Sequence, residues 1–465
     1  MDTDILIIGA GIFGLSRAYH LAQRFSNASK GTNTNKDACK VTILDRAPSP
    51  PLPPAASTDI NKIVRADYSS PLYMALAHEA MDAWAGGNPL FQDADVYHQT
   101  GWVVMDEKGS DLAARIRANF GNSNREDVSV DLSEDDVRTS WNGLLSQAEL
   151  SDYGSFYANP SAGWADAARA VELMAAEAMK RGSVRYEVGE VERIILTPER
   201  NAVQGMQTKD GRVYTARKVL LATGAWTSLL MTGLEDELGL EDDDRVENQI
   251  TAAGLSYEVV ANLTAAGEVL PPTKDGICKF TNARSFKNTI VTSTGHRISV
   301  PSENQSEIPP KLAQETITSI RERLPQVLEA RKSADDIRLC WDAISPDQNP
   351  LITRHPDPRL SNLYLAVGGS FHCWKFLPTI GRYVVNVLEG RSNGEERDRA
   401  WRWKAVVGGT QRRTKTGKRN ELTTSRLAVF HVLTHVLSIP LLSALSNKEL
   451  ELVLLGTSFY EAVQT

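Results

Sequence analysis

Cysteine is scarce: four residues, Cys39, Cys278, Cys340 and Cys373, in a chain of 465. They are too few and too scattered for a disulfide scaffold, and no two stand at the spacing of a metal-binding pair. A basic excess is also missing. The formal net charge is −7, whereas nucleic-acid recognition asks for a concentrated positive face, so no nucleic-acid partner is expected. The first residues are acidic and the first apolar run is short, which is not the pattern of a secretory leader. Reduced thiols and no leader predict a cytoplasmic protein without a bound metal. The length predicts two or three domains. The acidic run Glu235–Arg245 reads as a solvated surface turn.

Glycine, by contrast, is placed with purpose. Gly9, Gly11 and Gly14 fit G-x-G-x-x-G directly after "DILIIG", an apolar run suited to a strand buried on both faces. "LSRAYHLAQRF" then puts Leu15, Ala18, Tyr19 and Ala22 on one helical face, and "CKVTILD" is a second buried strand ending in Asp45. In such a unit the first glycine permits the turn, the second lets the backbone approach a pyrophosphate, and the third lets helix and strand pack closely. The free N–H groups at the helix start hold the phosphates, and Asp45 is placed to accept from a ribose diol. Asp45 lies about 30 residues past Gly14 instead of the usual ~20; "SNASKGTNTNKDA" is expected to be an inserted surface loop that absorbs the excess. The reading is a dinucleotide site.

Two later stretches bear on which dinucleotide. "ARKVLLATGAWTSLL" is a buried strand running into Thr223 and Gly224, preceded by short alternating strands between "VRYEV" and "GRVYT" that read as a β-meander. "NLYLAVGGSFHCWKFLPTIGRYVVNVLEG" is a strand, then Gly368 and Gly369, then a helix with Ile380, Tyr383, Val384, Val387 and Leu388 on its apolar face and Gly390 at C′. A glycine-flanked helix start suits the negative charge that a reduced flavin carries.

With "AASTDINKIVRADYSSPLY", "ANPSAGWADAARA", "CWDAISPDQNPLI" and "GGSFHCWKFLPTIGRYV" added, the chain resembles the monomeric sarcosine oxidase family, and most closely the fungal amadoriases, from residue 1 to about 404. The resemblance implies an α/β fold with a Rossmann-like, two-dinucleotide-binding-type FAD domain and an inserted mixed-sheet substrate domain. It implies covalent FAD and an oxidase that turns the C–N bond of a secondary amine into an imine, with oxygen as the acceptor and hydrogen peroxide as a product. Its partners would be a small-molecule amine and oxygen, and the protein a monomer. Segments 1–68, 152–245 and 335–395 would form the FAD domain, 69–151 and 246–334 the substrate domain, and 396–465 a partly flexible C-terminal extension.

Carried over to this chain, the resemblance makes Cys340 the thiol joined to the flavin 8α-methyl and Lys279 the lysine that activates oxygen. Lys62 and Arg65 match basic residues over the flavin, and Lys375 matches the lysine that pairs with the substrate carboxylate. Arg402 matches a further carboxylate-binding arginine. Gly9, Gly11, Gly14, Asp45, Arg46, Lys62, Thr223, Gly224, Cys340, Gly369 and Lys375 make up the expected cofactor set. Lys279 and Lys62 are the expected catalytic residues, and Arg65, Lys375 and Arg402 the expected substrate contacts. His372 reads as packing and not as a base.

The chain departs from the family pattern at Ala283, where sarcosine oxidases carry histidine and fructosyl oxidases glutamate. A sugar's hydroxyls would lack that acidic partner, so a different secondary amine is expected: an N-methyl amino acid, a cyclic imino acid such as pipecolate, or a larger precursor in secondary metabolism. The alternatives are a fructosyl amino acid oxidase, a saccharopine or pipecolate oxidase, or an amine-oxidising step in fungal secondary metabolism. Two rivals stay open: an NAD-dependent dehydrogenase, which gives Cys340 no role, and a flavin-binding protein without turnover. Past Lys404 the resemblance stops. "LAVFHVLTHVLSIPLLSAL" is uncharged and reads as a packed amphipathic helix or a divergent end, with a membrane anchor as the minor alternative.

Overall fold

The computed structural model describes residues 2–29, 40–123, 125–143, 145–259, 268–270, 277–281, 286–304, scattered positions between 308 and 325, 336–404, 420–421, 430–435 and 455–456. Its first sheet is built on five parallel strands in the order Val184–Val188, Val41–Asp45, Asp2–Ile8, Val213–Leu221 and Leu363–Val367. Leu6, Ile7, Ile43, Leu44, Leu220 and Leu221 are all buried. Such unbroken apolar runs need cover on both faces. Helices Ile12–Ser29, Ala167–Lys180 and Ile380–Leu388 pack into one core. Helix Thr227–Leu238 sends Met231, Leu234 and Leu238 into the other.

The strand Val213–Leu221 has a double role. Its first half pairs antiparallel with Val203–Thr208, which continues to Val191–Leu196 as the expected meander. Its second half pairs parallel with Leu363–Val367. One long strand thus joins the meander to the parallel sheet and delivers the turn at Thr223.

A second, mixed sheet has Thr251–Val259 and Asp336–Ile344 as its antiparallel spine, with Trp102–Glu107 and Tyr153–Asn159 pairing further along. Tyr153–Asn159 and Asp336–Ile344, which lie in segments assigned from sequence to the FAD domain, pair in this sheet. The strand expected from "GLSYEVVANL" is present as far as Val259. A small third sheet joins Asn61–Val64, Gly163–Asp166 and Tyr97–His98. The helix expected over Ser70–Trp84 is Pro71–Asp82, with proline at its first position.

Three expectations are corrected. The fingerprint helix runs on to Ser29, so the first part of the expected loop is helical; residues 30–39 lie outside the described residues. Within the C-terminal apolar run, Phe430–His435 is a strand between Thr251–Val259 and Ile277–Thr281, not helix. Its valine, threonine and phenylalanine favour a strand, and two flanking partners satisfy its backbone. Among the described residues no helix is long and apolar enough to cross a membrane. The acidic run Glu235–Arg245 is not simply solvated: Glu235 is 0% exposed and Arg245 2%. Arg245 pairs with Asp236 at 2.7 Å, and Glu235 accepts from the Val246 N–H at 2.8 Å. The helix end and the following 3₁₀ turn fold the charges back onto one another.

Candidate active site

The glycine turn sits where the first strand meets its helix. Gly9 has φ +98°, open to glycine without strain. A Cβ on Gly9 would clash with the Ala222 carbonyl, and one on Gly14 would clash with the Gly9 carbonyl. Gly14 therefore allows the helix to sit against the turn. Asp45 accepts from the Ala10 N–H at 2.6 Å and the Ala47 N–H at 3.0 Å, so it holds the turn closed as well as facing the cavity. Ser57 Oγ accepts from the Ile12 N–H at 3.2 Å, at the helix start. A Cβ on Gly11 would come within 2.9 Å of that oxygen.

From this turn runs a cavity of about 360 Å³. Gly9, Gly11, Asp45, Arg46, Lys62, Arg65, Thr223, Gly224, Lys279, Gly369 and Lys375, all expected from sequence, line it. Arg46 lies 4.8 Å from the Trp226 ring centroid and 3.8 Å from Glu190. Thr223 and Thr227 share a hydrogen bond of 2.8 Å across the A-T-G turn. Arg402 is exposed beyond helix Glu395–Trp401 and is not among the lining residues, so the structure does not bring it to the cavity. Ala283 lies outside the described residues.

Behind the cavity wall the two lining lysines, Lys62 and Lys279, meet a residue that the sequence reading missed. Asp59 is buried, and its Oδ2 accepts from Lys62 at 3.0 Å and from Lys279. Lys279 is 1% exposed and also donates to the Asn61 carbonyl at 2.7 Å. Burial alone would pull the Lys62 ammonium down, but Asp59, then Cys340 and Asp342, more than offset it, and its pKa is raised. Lys62 is thereby kept a cation inside the protein, and Lys279 is paired with the same carboxylate. The sequence signal was the carboxylate three residues before Lys62; that it also reaches residue 279 is not visible locally.

The far end is shaped by residues 368–375. Gly368, Ser370 and Phe371 all have positive φ (+81°, +49° and +68°), which is costly for a phenylalanine. The loop is held there because Asp342 Oδ2 accepts from the Phe371 N–H at 2.7 Å and the Ala343 carbonyl from the Ser370 N–H at 3.0 Å. Buried Cys340 packs under Ala56 and Phe371, which do line the cavity, and Lys62 is within electrostatic reach of it. Cys373 lines the cavity directly, but burial pushes its thiol far up, leaving it protonated. Trp341 and Trp374 also line the cavity, and their buried indole N–H groups have no partner among the described residues.

At the same end, Arg65 donates to the Asp67 carbonyl. Burial, the largest influence, raises the Asp67 carboxyl against the pull of Arg65, Asn159 and Tyr157. Lys375 donates to the Tyr68 hydroxyl at 2.6 Å, while Trp84 Nε1 donates to the Lys375 carbonyl at 2.7 Å and fixes the turn that carries it. Helix Ile380–Leu388 follows as expected, but its key residue is Gly381. A Cβ there would strike the Ser16 backbone, and Ser16 Oγ accepts from the Gly381 N–H at 2.8 Å. Helix Ile380–Leu388 thus crosses directly on the fingerprint helix.

The glycine cradle, the hydroxyl at the helix start and the unpartnered indole N–H groups along one elongated cavity fit a long dinucleotide such as FAD. The sequence matches the family model for FAD dependent oxidoreductases over residues 4–387. It is 28% identical to L-saccharopine oxidase of Schizosaccharomyces pombe, over 87% of this chain and 94% of that protein. It is 23% identical to monomeric sarcosine oxidase of a Bacillus species, over 84% and 93%. The crystal structure of the deglycating enzyme fructosamine oxidase (Amadoriase II) of Aspergillus fumigatus superimposes with a TM-score of 0.72 at 25% identity, over 92% of this chain and 95% of that one. The chain belongs to the FAD dependent oxidoreductase family.

Proposed function

We propose that this protein oxidises the C–N bond of a secondary amine that carries a carboxylate. The amine becomes an imine, and the two electrons and two protons it loses reduce oxygen to hydrogen peroxide. The observation that carries this reading is one cavity in which two buried cations at one end, Arg65 and Lys375, can receive a carboxylate, with the paired lysines Lys62 and Lys279 beside them.

FAD, when bound, supplies the two-electron acceptor. The Gly9–Gly14 turn, Ser57 and Asp45 would hold its phosphates and ribose, Arg46, Thr223 and Gly224 its adenosine side, and Gly369 and the 368–371 loop its ring. Cys340 is the proposed attachment thiol, since a neighbouring cation such as Lys62 favours the nucleophilic thiolate. Lys279 would stabilise negative charge as it develops on oxygen. His372 is no base: burial, then Lys375, pulls it down to about 3.

Several comparison proteins are named for amine oxidation, among them the saccharopine and sarcosine oxidases. A peroxide assay with saccharopine, pipecolate, N-methyl amino acids, fructosyl-lysine and fructosyl-valine tests the proposal. Peroxide is expected with a non-glycated secondary amine and little with the fructosyl compounds, whose hydroxyls would meet no acid at residue 283. Comparable fructosyl turnover would overturn the substrate assignment. Absence of peroxide across carboxylate-bearing secondary amines would overturn the reading itself.

A further inference from the structure

We propose that Tyr68 is a positioning residue for Lys375, oriented in turn by His372, and that this hydrogen-bond chain sets where the substrate carboxylate is held. The inference rests on the reading of Lys375 as a carboxylate ligand.

The direction of every bond in the chain follows from what each atom can do. His372 Nε2 lies 3.0 Å from the Gln348 carbonyl oxygen. A carbonyl only accepts, so Nε2 carries the proton. The ring is neutral, because burial and the nearby Lys375 hold its pKa far below the usual value. Nδ1 is therefore a bare acceptor, and the Tyr68 hydroxyl, 3.3 Å away, donates to it. That leaves the phenol oxygen's lone pairs for the Lys375 ammonium, which can only donate and lies at 2.6 Å.

The start of the chain is fixed by backbone. Gln348 has φ +59°, and its N–H donates to the Ser345 carbonyl at 3.2 Å. The Tyr73 ring meets His372 edge-on with centroids 4.8 Å apart and restricts its rotation. The Tyr68 ring also touches both proposed carboxylate cations, with Lys375 Nζ 4.8 Å and the Arg65 guanidinium carbon 5.2 Å from its centroid. The aromatic face attracts the guanidinium while the phenol oxygen takes the ammonium, so one side chain holds the two together. Because its proton is committed to His372, Tyr68 offers the substrate no donor. Lys375 does the recognising, and Tyr68 decides where its head points.

The test is an anaerobic titration of the purified flavoprotein, followed by the flavin absorbance. Its probes are (methylthio)acetate, which cannot be oxidised at a C–N bond, and the matching neutral amide. The wild type is expected to prefer the carboxylate. Tyr68→Phe keeps the ring but loses the oxygen, and should weaken carboxylate binding about tenfold while leaving amide binding within about threefold, as removal of a hydrogen bond to a charged group implies. His372→Gln retains an amide oxygen that can accept from the phenol and should stay closer to wild type than His372→Leu. A Tyr68→Phe protein that keeps the full preference overturns the inference, as does equal weakening of both probes, which would mark a merely structural role. A wild type without any carboxylate preference would instead overturn the reading of Lys375 on which the inference rests.

Discussion

Asp59 and Lys279, 220 positions apart in the chain, form an ion pair in which each side chain is 1% exposed. The same carboxylate oxygen also accepts from Lys62. Removing one partner of such a buried group leaves uncompensated charge, typically at 3–5 kcal/mol. Asp59→Asn should therefore lower the unfolding free energy by about that much. It should also make the reaction with oxygen pH-dependent. In the wild type the raised Lys62 pKa means that its stabilising contribution is complete below the ordinary lysine value of 10.5 and is lost only as pH rises through the still higher folded value. The Lys62 charge beside Lys279 should thus be constant, and oxygen reactivity flat, in the neutral range. Without Asp59 the largest counter-charge against the burial of Lys62 is gone, its pKa should fall, and flavin reoxidation should slow as that charge beside Lys279 is lost with rising pH. Stopped-flow reoxidation across pH decides this; a flat profile in the variant would refute it.

Lys279→Met addresses the lysine alone. Removing one well-placed charge-stabilising group costs about 2.7–4 kcal/mol in sites of this kind. Reoxidation should fall 10²–10³-fold, while anaerobic reduction by substrate changes far less. Equal slowing of the two half-reactions would make Lys279 a structural residue.

What could be read from sequence was what local pattern encodes. The Gly9–Gly14 turn, the meander, the A-T-G turn and helix Ile380–Leu388 depend on residues within a few positions of one another, and all stand in the structure. The sites that were missed depend on partners far away. Asp59 reads as an ordinary loop acid until Lys279 is folded against it. Gly381 reads as a weak point in a helix until Ser16 is pressed upon it. Glu235 and Arg245 read as solvated because charge run by itself carries no record of what packs over it. Arg402 was placed by resemblance near the end of the matched region, where the correspondence of positions is weakest.

Cys340→Ser should give a folded protein that releases its flavin on denaturation, whereas Cys373→Ser should keep the flavin attached. The Cys373 thiol is held protonated by burial, and only the thiolate is the nucleophile. Mass spectrometry of tryptic peptides is the measurement. A flavin peptide containing Cys373 would reverse the assignment.

Glu235 gives a prediction about stability. Burial, the largest influence, pushes its carboxyl from 4.5 up to about 7, against the Val246 N–H and Arg245. The folded state therefore binds a proton that the unfolded state has released between those values. Stability falls as pH rises through this window, by roughly 3 kcal/mol in total. Glu235→Gln can keep the hydrogen bond from Val246 and carries no charge. The variant's melting temperature relative to wild type should be higher at pH 8.5 than at pH 5. An identical difference at both would show that Glu235 does not titrate in this range.

The first strand carries an obligation in time. Asp2–Ile8 is made before the strands it pairs with, and helix Ile12–Ser29 can form beside it within microseconds. Yet one edge of that strand pairs with Val213–Leu221, more than two hundred positions later, and the loop at 368–371 comes later still. At about 5–20 residues per second, the nascent chain spends tens of seconds with an apolar strand edge unpaired, a template for wrong partners. The residues at the two ends of the cavity are therefore made tens of seconds apart. A chain that stops before Gly368 would carry the glycine turn without the loop that shapes the far end of the cavity.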